Sequence, residues 1–542
     1  MNASRQEQLD ALFAAWDTAE SPGCALGIYS EGELSYARGF GIANLEHAIP
    51  IKPSTMFHVA SLSKQFTAMA VGLLARGGYL SLDDDIRQYV PDIPAGPGIT
   101  FRQIIHHTSG LRDQWDLLRL GGWRHADLKT TADILRLAAL QTGLNFQPGT
   151  RFQYINTGYT LLAIVIERVT GCSLREYADE NIFKPLGMQD TFFQDDHRKI
   201  IRNRAQAYSR GHDSQLRIDV PAYETVGPTG LFTTIEEFAR WERNFISPKV
   251  GDEEFIKQML SPGTLADGKR TSYGFGLIKG QYRGLEIAEH AGGDAGYRAH
   301  YLRFPGEHFA VAIFANFSEV KPSQLARKVA DICLAGRFTT ENPEGGEIAA
   351  WAGRAAGHAA LSAQELESRC GTYLDSLSGT TCRIEARGGR LFLVPSSGGE
   401  YELAQAGDEL FRFQTTLAEA LFKPPVADEP WRMIITYAGD VTADSTRIVE
   451  DEDTDSHEPI AQYAGTYQSG ELDCLYVVEP SNEGLVLRHT KFGPCALVPL
   501  RRDEFSCPQE GLHLRFVRDT EGRLGGFVLN AERVWNIGFT RL

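Results

Sequence analysis

Three short groups of residues carry the types and spacings that could do covalent chemistry: Ser61-Leu62-Ser63-Lys64, Tyr154-Ile155-Asn156 and His290-Ala291-Gly292-Gly293. Ser61 and Lys64 open an apolar run containing Phe66, Met69, Val71, Leu73 and Leu74. If that run is a helix, residues three apart share a face, and a serine hydroxyl there lies beside a lysine amine. A hydroxyl becomes a useful nucleophile only when a neighbour removes its proton. Lys64 and Tyr154 are both candidates for that task. An unperturbed phenol is protonated at neutral pH, but a nearby ammonium favours the phenolate, and desolvation favours the neutral amine. Asn156 has an amide donor and a carbonyl acceptor, which suits it to hold Lys64 and a substrate backbone together. His290 can donate to Tyr154 or to substrate, and an ordinary imidazole there would make activity pH-sensitive between about 6 and 7. Gly292 and Gly293 would let a strand approach the substrate closely.

Other motifs are assigned plainer roles. A second S-x-x-K, Ser318 to Lys321, is followed by Pro322 and reads as a loop before a helix. His106 and His107 have no third ligand at metal-site spacing and are read as structural, so no metal and no cofactor is expected. Trp115 could wall a cleft or simply pack.

The elements that must position these groups can be read from periodicity. Cys24–Tyr29 and Glu33–Arg38 flank Glu31-Gly32 as one hairpin, and Tyr297–Phe304 and His308–Asn316 flank Pro305-Gly306 as another. These predict one antiparallel sheet. Helical periods run over Ser63–Arg76, Thr131–Thr142, Tyr159–Val169 and Ile235–Phe245. Residues 1–338 are therefore expected to form an α/β domain, an antiparallel sheet flanked by helices. The Gly-, Ala- and Glu-rich stretch 339–364 reads as a linker and connecting helix. Beyond it the sequence repeats: Gly371-Thr372-Tyr373 recurs as Gly465-Thr466-Tyr467, and the same offset carries Leu391 and Leu393 onto Leu485 and Leu487. Two small antiparallel β-barrels are expected, at 365–449 and 460–542, joined by an acidic linker at 450–459.

Composition narrows the function classes. The 542 residues include 54 Lys and Arg against 70 Asp and Glu, a formal net charge of -16 that disfavours nucleic acid as a partner. No run reaches the roughly 18 apolar residues of a membrane span, so no membrane association is expected. The polar start Met1-Asn2-Ala3-Ser4-Arg5 suggests a cytoplasmic address, and the eight cysteines, scattered and without a C-x-x-C pair, suggest mostly reduced thiols. The expected partner is a small molecule or short peptide, with a homodimer left open.

In order and within one domain, S-x-x-K, Y-x-N and H-x-G resemble the motif set of the penicillin-recognising serine hydrolases. Leu80-Ser81-Leu82-Asp83-Asp84, His107-Thr108-Ser109-Gly110-Leu111, Pro185-Leu186-Gly187-Met188 and Tyr273-Gly274-Phe275-Gly276 strengthen that likeness. The tyrosine and histidine motifs are similar to the class C beta-lactamase and D,D-peptidase branch. The two trailing barrels resemble the bacterial D-aminopeptidases over nearly the whole chain. The resemblance implies a beta-lactamase-like catalytic domain and an acyl-enzyme on Ser61, with the N–H groups of Ser61 and Gly293 as oxyanion hole. It also implies that a loop of the last barrel enters the cleft, at His489–Ala496 here, with Lys491, Phe492 and Gly493 as substrate contacts. That stretch has no carboxylate, so Asp294 or Asp113 would have to receive a substrate ammonium. The leading expectation is a D-stereospecific aminopeptidase releasing N-terminal D-alanine or glycine. A serine esterase or beta-lactamase-like hydrolase, and a catalytically vestigial binding protein, are the alternatives.

Overall fold

The computed structural model describes residues 3–542 apart from 95, 212, 340–360, 377, 396–399, 414–417, 427–428, 438–439, 449–459, 483, 490 and 492. The acidic linker, 450–459, and most of the linker at 339–364 thus lie outside the described residues.

The catalytic-type domain is built on an antiparallel sheet of β1 (Cys24–Ser30), β2 (Glu33–Phe40), β3 (Ile278–Tyr282), β4 (Leu285–Asp294), β5 (Tyr297–Phe304) and β6 (Phe309–Ala315), in the order β3-β4-β5-β6-β1-β2. Both hairpins of the sequence reading are present, and they meet where β1 pairs with β6. The β6 strand is buried along its whole length, which fits its unbroken apolar sequence. Helices α1 (Ala3–Phe13) and α7 (Pro322–Cys333) pack on each other, and their apolar residues join one face of the sheet in a common core. The helical region, α2 (Ser63–Arg76), α3 (Gln114–Leu120), α4 (Thr131–Ala139), α5 (Thr157–Thr170) and α6 (Ile235–Ile246), is inserted between β2 and β3.

Helix α2 is buried on nearly every side, including Ser63, Lys64 and Gln65, so it is a central helix rather than an amphipathic surface one. Its bounds are those of the sequence reading, and what differs is the place of Ser61, which lies ahead of the first helical turn. Ser61 sits in a 3-10 turn, Ala60–Leu62, and α2 proper begins at Ser63. Ala60, just before the serine, holds φ of 47°, a left-handed conformation that costs a non-glycine residue roughly 1 kcal/mol or more.

Two closed eight-stranded antiparallel barrels follow. The first runs from β7 (Gly371–Asp375) through β8 (Thr381–Arg387), β9 (Arg390–Pro395), β10 (Tyr401–Gln405), β11 (Leu410–Phe413), β12 (Ala418–Lys423) and β13 (Arg432–Tyr437) to β14 (Asp440–Arg447). The second runs from β15 (Gly465–Ser469) through β16 (Cys474–Ser481), β17 (Gly484–His489), β18 (Cys495–Arg501), β19 (Glu504–Cys507), β20 (Leu512–Arg518) and β21 (Leu524–Ala531) to β22 (Val534–Arg541). Closure removes the exposed sheet edges that an open eight-stranded sheet would carry.

Six of the eight cysteines are free, in line with mostly reduced thiols, and one pair departs from that expectation. Cys495 and Cys507 are joined in a disulfide, with Cα atoms 6.3 Å apart, rather than being two of a set of reduced thiols. They lie on neighbouring strands and both project into the barrel interior, a juxtaposition that spacing in the sequence does not show.

Candidate active site

The site is assembled at Lys64, whose side chain is fully buried. Its Nζ donates to Asn156 Oδ1 at 2.9 Å and to the Pro228 carbonyl at 2.9 Å, and lies 3.1 Å from Ser61 Oγ. The same nitrogen stands 4.8 Å from the ring centre of Tyr154. Burial pushes the lysine well below its ordinary value; Asp113 opposes that shift and Arg533 reinforces it. Tyr154 is held the other way: burial raises its phenol, and its hydrogen bond with Ser61 offsets only part of that. The three sequence groups thus converge on one hydroxyl, and burial shifts the Lys64 amine beside it toward its neutral form.

Asn156 is oriented from behind. Its backbone N–H and its Nδ2 both donate to Asp113 Oδ2, at 2.7 and 2.9 Å. The other carboxylate oxygen of Asp113 caps the N-terminus of α3 through Trp115 N, at 3.0 Å. Asp294, at the end of β4, accepts from Thr229 Oγ1 at 3.2 Å, from Tyr223 Oη, and lies 3.1 Å from His58 Nε2. Burial pushes its carboxyl up, but these partners outweigh that and hold it below the usual range. Both carboxylates named as ammonium acceptors are therefore already engaged by protein.

His290 sits on β4 facing the site. Its Nδ1 lies 2.6 Å from the Ala291 carbonyl and its Nε2 lies 2.8 Å from Tyr273 Oη. The first contact requires N–H at Nδ1, leaving Nε2 to accept from the phenol. Burial, and then the Lys64 charge, push the ring down to about 3. His290 is neutral throughout the range in which a free imidazole titrates, so it supplies no pH sensitivity between about 6 and 7. Tyr273, unassigned in the sequence reading, is its partner. His107 is a second residue whose place the sequence did not indicate. Its ring is wedged between Tyr154 and Tyr273, at 4.4 Å from each, with backbone φ of 58°.

Strand β4 closes the site against Ser61. A Cβ on Gly292 would lie 2.3 Å from the Val59 carbonyl oxygen, so only glycine lets the strand approach the turn that carries Ser61. At Gly293 a Cβ would meet ordinary contacts, and that residue lines the open cleft. Strand β3 pairs β4 only as far as Glu289, which leaves His290 to Asp294 as a free strand edge on that side.

The cleft is a cavity of about 490 Å³ bounded by Ser61, Tyr154, Tyr273, His290 and Gly293 from the catalytic-type domain. Its outer wall comes from both barrels: Tyr437, Val441 and Thr442 from the first, Glu532, Arg533 and Trp535 from the second. This relocates the entering loop. Lys491 lays its ammonium 5.3 Å from the Trp123 ring centre, and Gly493 lines a separate small cavity with Arg119 and Tyr476, away from the cleft. Phe492 lies outside the described residues. Trp115 lies against Tyr223, with ring centres 5.5 Å apart and the planes tilted by 36°, and packs against the second barrel's core. The loop that reaches the cleft is the β21–β22 turn, and it contains a carboxylate, Glu532, with an exposed side chain.

Comparison with known proteins places this geometry. The D-aminopeptidase of Gluconobacter oxydans (strain 621H) is 28% identical over 490 residues, covering 87% of this chain and 84% of that one. Penicillin-binding protein 4* of Bacillus subtilis (strain 168) is 26% identical over 360 residues, 62% of this chain and 78% of the relative. Among solved structures, the octameric penicillin-binding protein homologue from Pyrococcus abyssi matches in fold with a TM-score of 0.57 at 23% identity, covering 82% of this chain and 99% of that one. The D-amino acid amidase of Ochrobactrum anthropi SV3 matches with a TM-score of 0.53 at 20% identity, over 62% of this chain and all of that one. Residues 9–334 match the Beta-lactamase family model, and the chain belongs to that family.

Proposed function

We propose that this chain is a serine hydrolase that acylates Ser61, and that it acts as a D-stereospecific aminopeptidase releasing N-terminal D-alanine or glycine from small peptides, amides or esters. The observation that carries the hydrolase reading is the fully buried Lys64 amine, 3.1 Å from Ser61 Oγ. Neutral Lys64 takes the Ser61 proton as Oγ attacks the substrate carbonyl. The developing oxyanion faces the N–H groups of Ser61 and Gly293, each such donor contributing roughly 3 kcal/mol. Tyr154, protonated, passes a proton to the departing amine and is resupplied from Lys64. Water then enters by the same route in reverse and releases the acyl group. Asn156 and Tyr273 hold Lys64 and His290 in place, and the free edge of β4 offers backbone partners to an extended substrate.

The substrate reading rests on the outer wall that the two barrels supply and on relatives named D-aminopeptidase. Tyr437 and Trp535 bound the cleft where a long N-terminal extension would run, which favours a short acyl group. Glu532, rather than Asp113 or Asp294, is the carboxylate with capacity to receive a free α-ammonium. Chromogenic D-alanyl, glycyl and L-alanyl anilides and a simple ester, assayed together, test this reading. Preference for the D-alanyl and glycyl anilides is expected, with Glu532→Gln raising KM for them and leaving an N-acetylated ester unaffected. Preference for the L-alanyl anilide overturns the D-aminopeptidase reading, and loss of all turnover in Ser61→Ala is required of any serine hydrolase.

A further inference from the structure

Arg533 sits at the tip of the β21–β22 turn, in the second barrel, yet its guanidinium ends inside the catalytic-type domain. Its Nη1 lies 3.2 Å from Asp113 Oδ2, the same oxygen that accepts both bonds from Asn156. Its Nε stands 3.5 Å from Asp116 Oδ2. The backbone fixes this approach: Asp113 N donates to the Arg533 carbonyl at 3.2 Å, and Asn145 Nδ2 donates to the same carbonyl at 2.9 Å. On the next strand, Trp535 N donates to Asn145 Oδ1 at 2.8 Å. A continuous series of polar contacts therefore runs from barrel to nucleophile: Arg533, Asp113, Asn156, Lys64, Ser61.

We propose that Arg533 is a positioning residue for the hydrolytic site, so that the second barrel completes the machinery around Lys64 as well as covering the cleft. This rests on Ser61 and Lys64 acting as nucleophile and base. Without the guanidinium, the buried Asp113 carboxylate loses its paired cation and, among the described residues, keeps Asn156 as its side-chain partner. The groups around Lys64 are Asp113, Asp294, Arg533, His107, His290, Tyr154 and Tyr159. Those around Arg533 are Asp113, Asp116, Glu532 and Tyr154. In this set Asp113 favours the charged lysine and Arg533 opposes it. Loss of Arg533 leaves the acidic neighbour unopposed, and Lys64 must then be deprotonated at higher pH before it can act as base.

The test follows the rate of Ser61 modification by a fluorophosphonate, read by intact-protein mass spectrometry between about pH 4.5 and 9. Wild type labelling with Ser61→Ala unlabelled is what the hydrolase reading requires; a wild type that does not label ends that reading and this one together. With a reactive wild type, Arg533→Met moves the acid limb up by about one pH unit, so labelling is about fivefold slower at the wild-type half-maximal pH. Arg533→Lys, which keeps the charge, restores the limb. Asp113→Asn, which removes the opposing charge but keeps an acceptor for Asn156, moves it down. Arg136→Ala, which breaks a solvent-exposed contact between the same two domains, leaves it unchanged. An Arg533→Met profile superimposed on wild type overturns the inference while leaving Ser61 as nucleophile. Should Arg533→Met fail to fold, an Asp113→Asn limb that stays in place or rises overturns it equally.

Discussion

The two barrels are copies of one unit put to different uses. The offset of 94 that joins Tyr373 to Tyr467 also joins Arg447 to Arg541, and the paired residues act alike. Tyr373 Oη donates to the Arg369 carbonyl and Tyr467 Oη to the Tyr463 carbonyl, each at 2.8 Å. Arg447 and Arg541 each donate to backbone carbonyls just before the first strand of their own barrel. The same offset superposes the final hairpins, so that Val441 corresponds to Trp535, and both hairpins wall the cleft. The difference lies in how each is attached. The first barrel closes its own apolar core. It grips its neighbour through Asp440, whose Oδ2 accepts from Ser272 N and Ser272 Oγ at 3.0 Å. The second barrel shares a single core with Leu117, Leu118 and Leu120 of α3 and Ile134 and Leu137 of α4. It adds a buried ion pair, Arg112 to Glu471, and a part-buried one, Arg533 to Asp113. Duplication supplied two walls: the first meets the site through Tyr437, which packs against Phe152, Tyr273 and Ile278, whereas the second merges its whole apolar core with α3 and α4.

Acid should separate the two most widely. His106, His107 and His290 are buried in the catalytic-type domain, pushed down chiefly by burial, His106 to about 4 and His290 to about 3. The first barrel contains no histidine between 365 and 449. A group whose folded pKa lies below its unfolded one contributes stability above the unfolded value, near 6.5. That stability is lost as pH falls from there toward the folded value. At pH 5 each such histidine removes roughly 2 kcal/mol relative to neutral pH. Calorimetry should show the catalytic-type domain and second barrel melting together and earlier at pH 5, with the first barrel retaining its own later transition. Coincident melting of all three parts at pH 5 would mean that the two barrels are attached to the catalytic-type domain alike.

Breaking the buried pair is next in size. The Arg112 and Glu471 side chains are 2% and 9% exposed, and Glu471 also accepts from Thr142 N and Thr142 Oγ1 at 2.8 Å. Arg112→Ala leaves that carboxylate buried beside its dipoles with no cation, and about 3–5 kcal/mol of stability should be lost. Asp440→Ala in the first barrel removes acceptors for two Ser272 donors and should cost about 1–3 kcal/mol. Because Ser272 precedes Tyr273, the partner of His290, this variant should also lower turnover more than its loss of melting temperature explains. Equal stability losses in the two variants would mean that both barrels are attached in the same way.

Much of this was legible in the sequence because it is written in local pattern. The hairpins at 24–38 and 297–315, the helix at 63–76 and the repeat of Gly-Thr-Tyr each depend on neighbours in the chain, and each appears in the fold. Ser61, Lys64, Tyr154 and His290 were marked by residue type and order. What escaped was set by tertiary contact. Glu532 and Arg533 lie in an ordinary turn whose meaning comes from reaching Asp113, some 420 positions away. The entering loop was placed at His489–Ala496 instead, although the repeat offset, which maps the first barrel's cleft-lining Val441 onto Trp535, would have indicated the right hairpin once one contact was known. The neutrality of His290 was equally invisible, since its burial and its Tyr273 bond are not properties of H-x-G. The Cys495–Cys507 pair depends on two strands facing one interior.

The smallest effect is expected at the edge of the same interface. Arg136 on α4 reaches Asp473 of the second barrel at 2.9 Å, but the two side chains are 44% and 68% exposed. In water-like surroundings the attraction is weak, and ordering two flexible side chains offsets much of it, so Arg136→Ala should cost less than about 1 kcal/mol. What remains should fade as salt is raised, because exposed charges are screened within about 10 Å at 0.1 M. The Arg112 loss should persist under the same conditions, since its partner is shielded from ions by the shared core. Melting both variants at low and high salt therefore asks whether burial or mere charge pairing joins the second barrel to the catalytic-type domain. A salt-insensitive Arg136 loss as large as that of Arg112 would show that the contact is made by the whole charged face, and the shared apolar core would lose its place as the reason the two barrels differ.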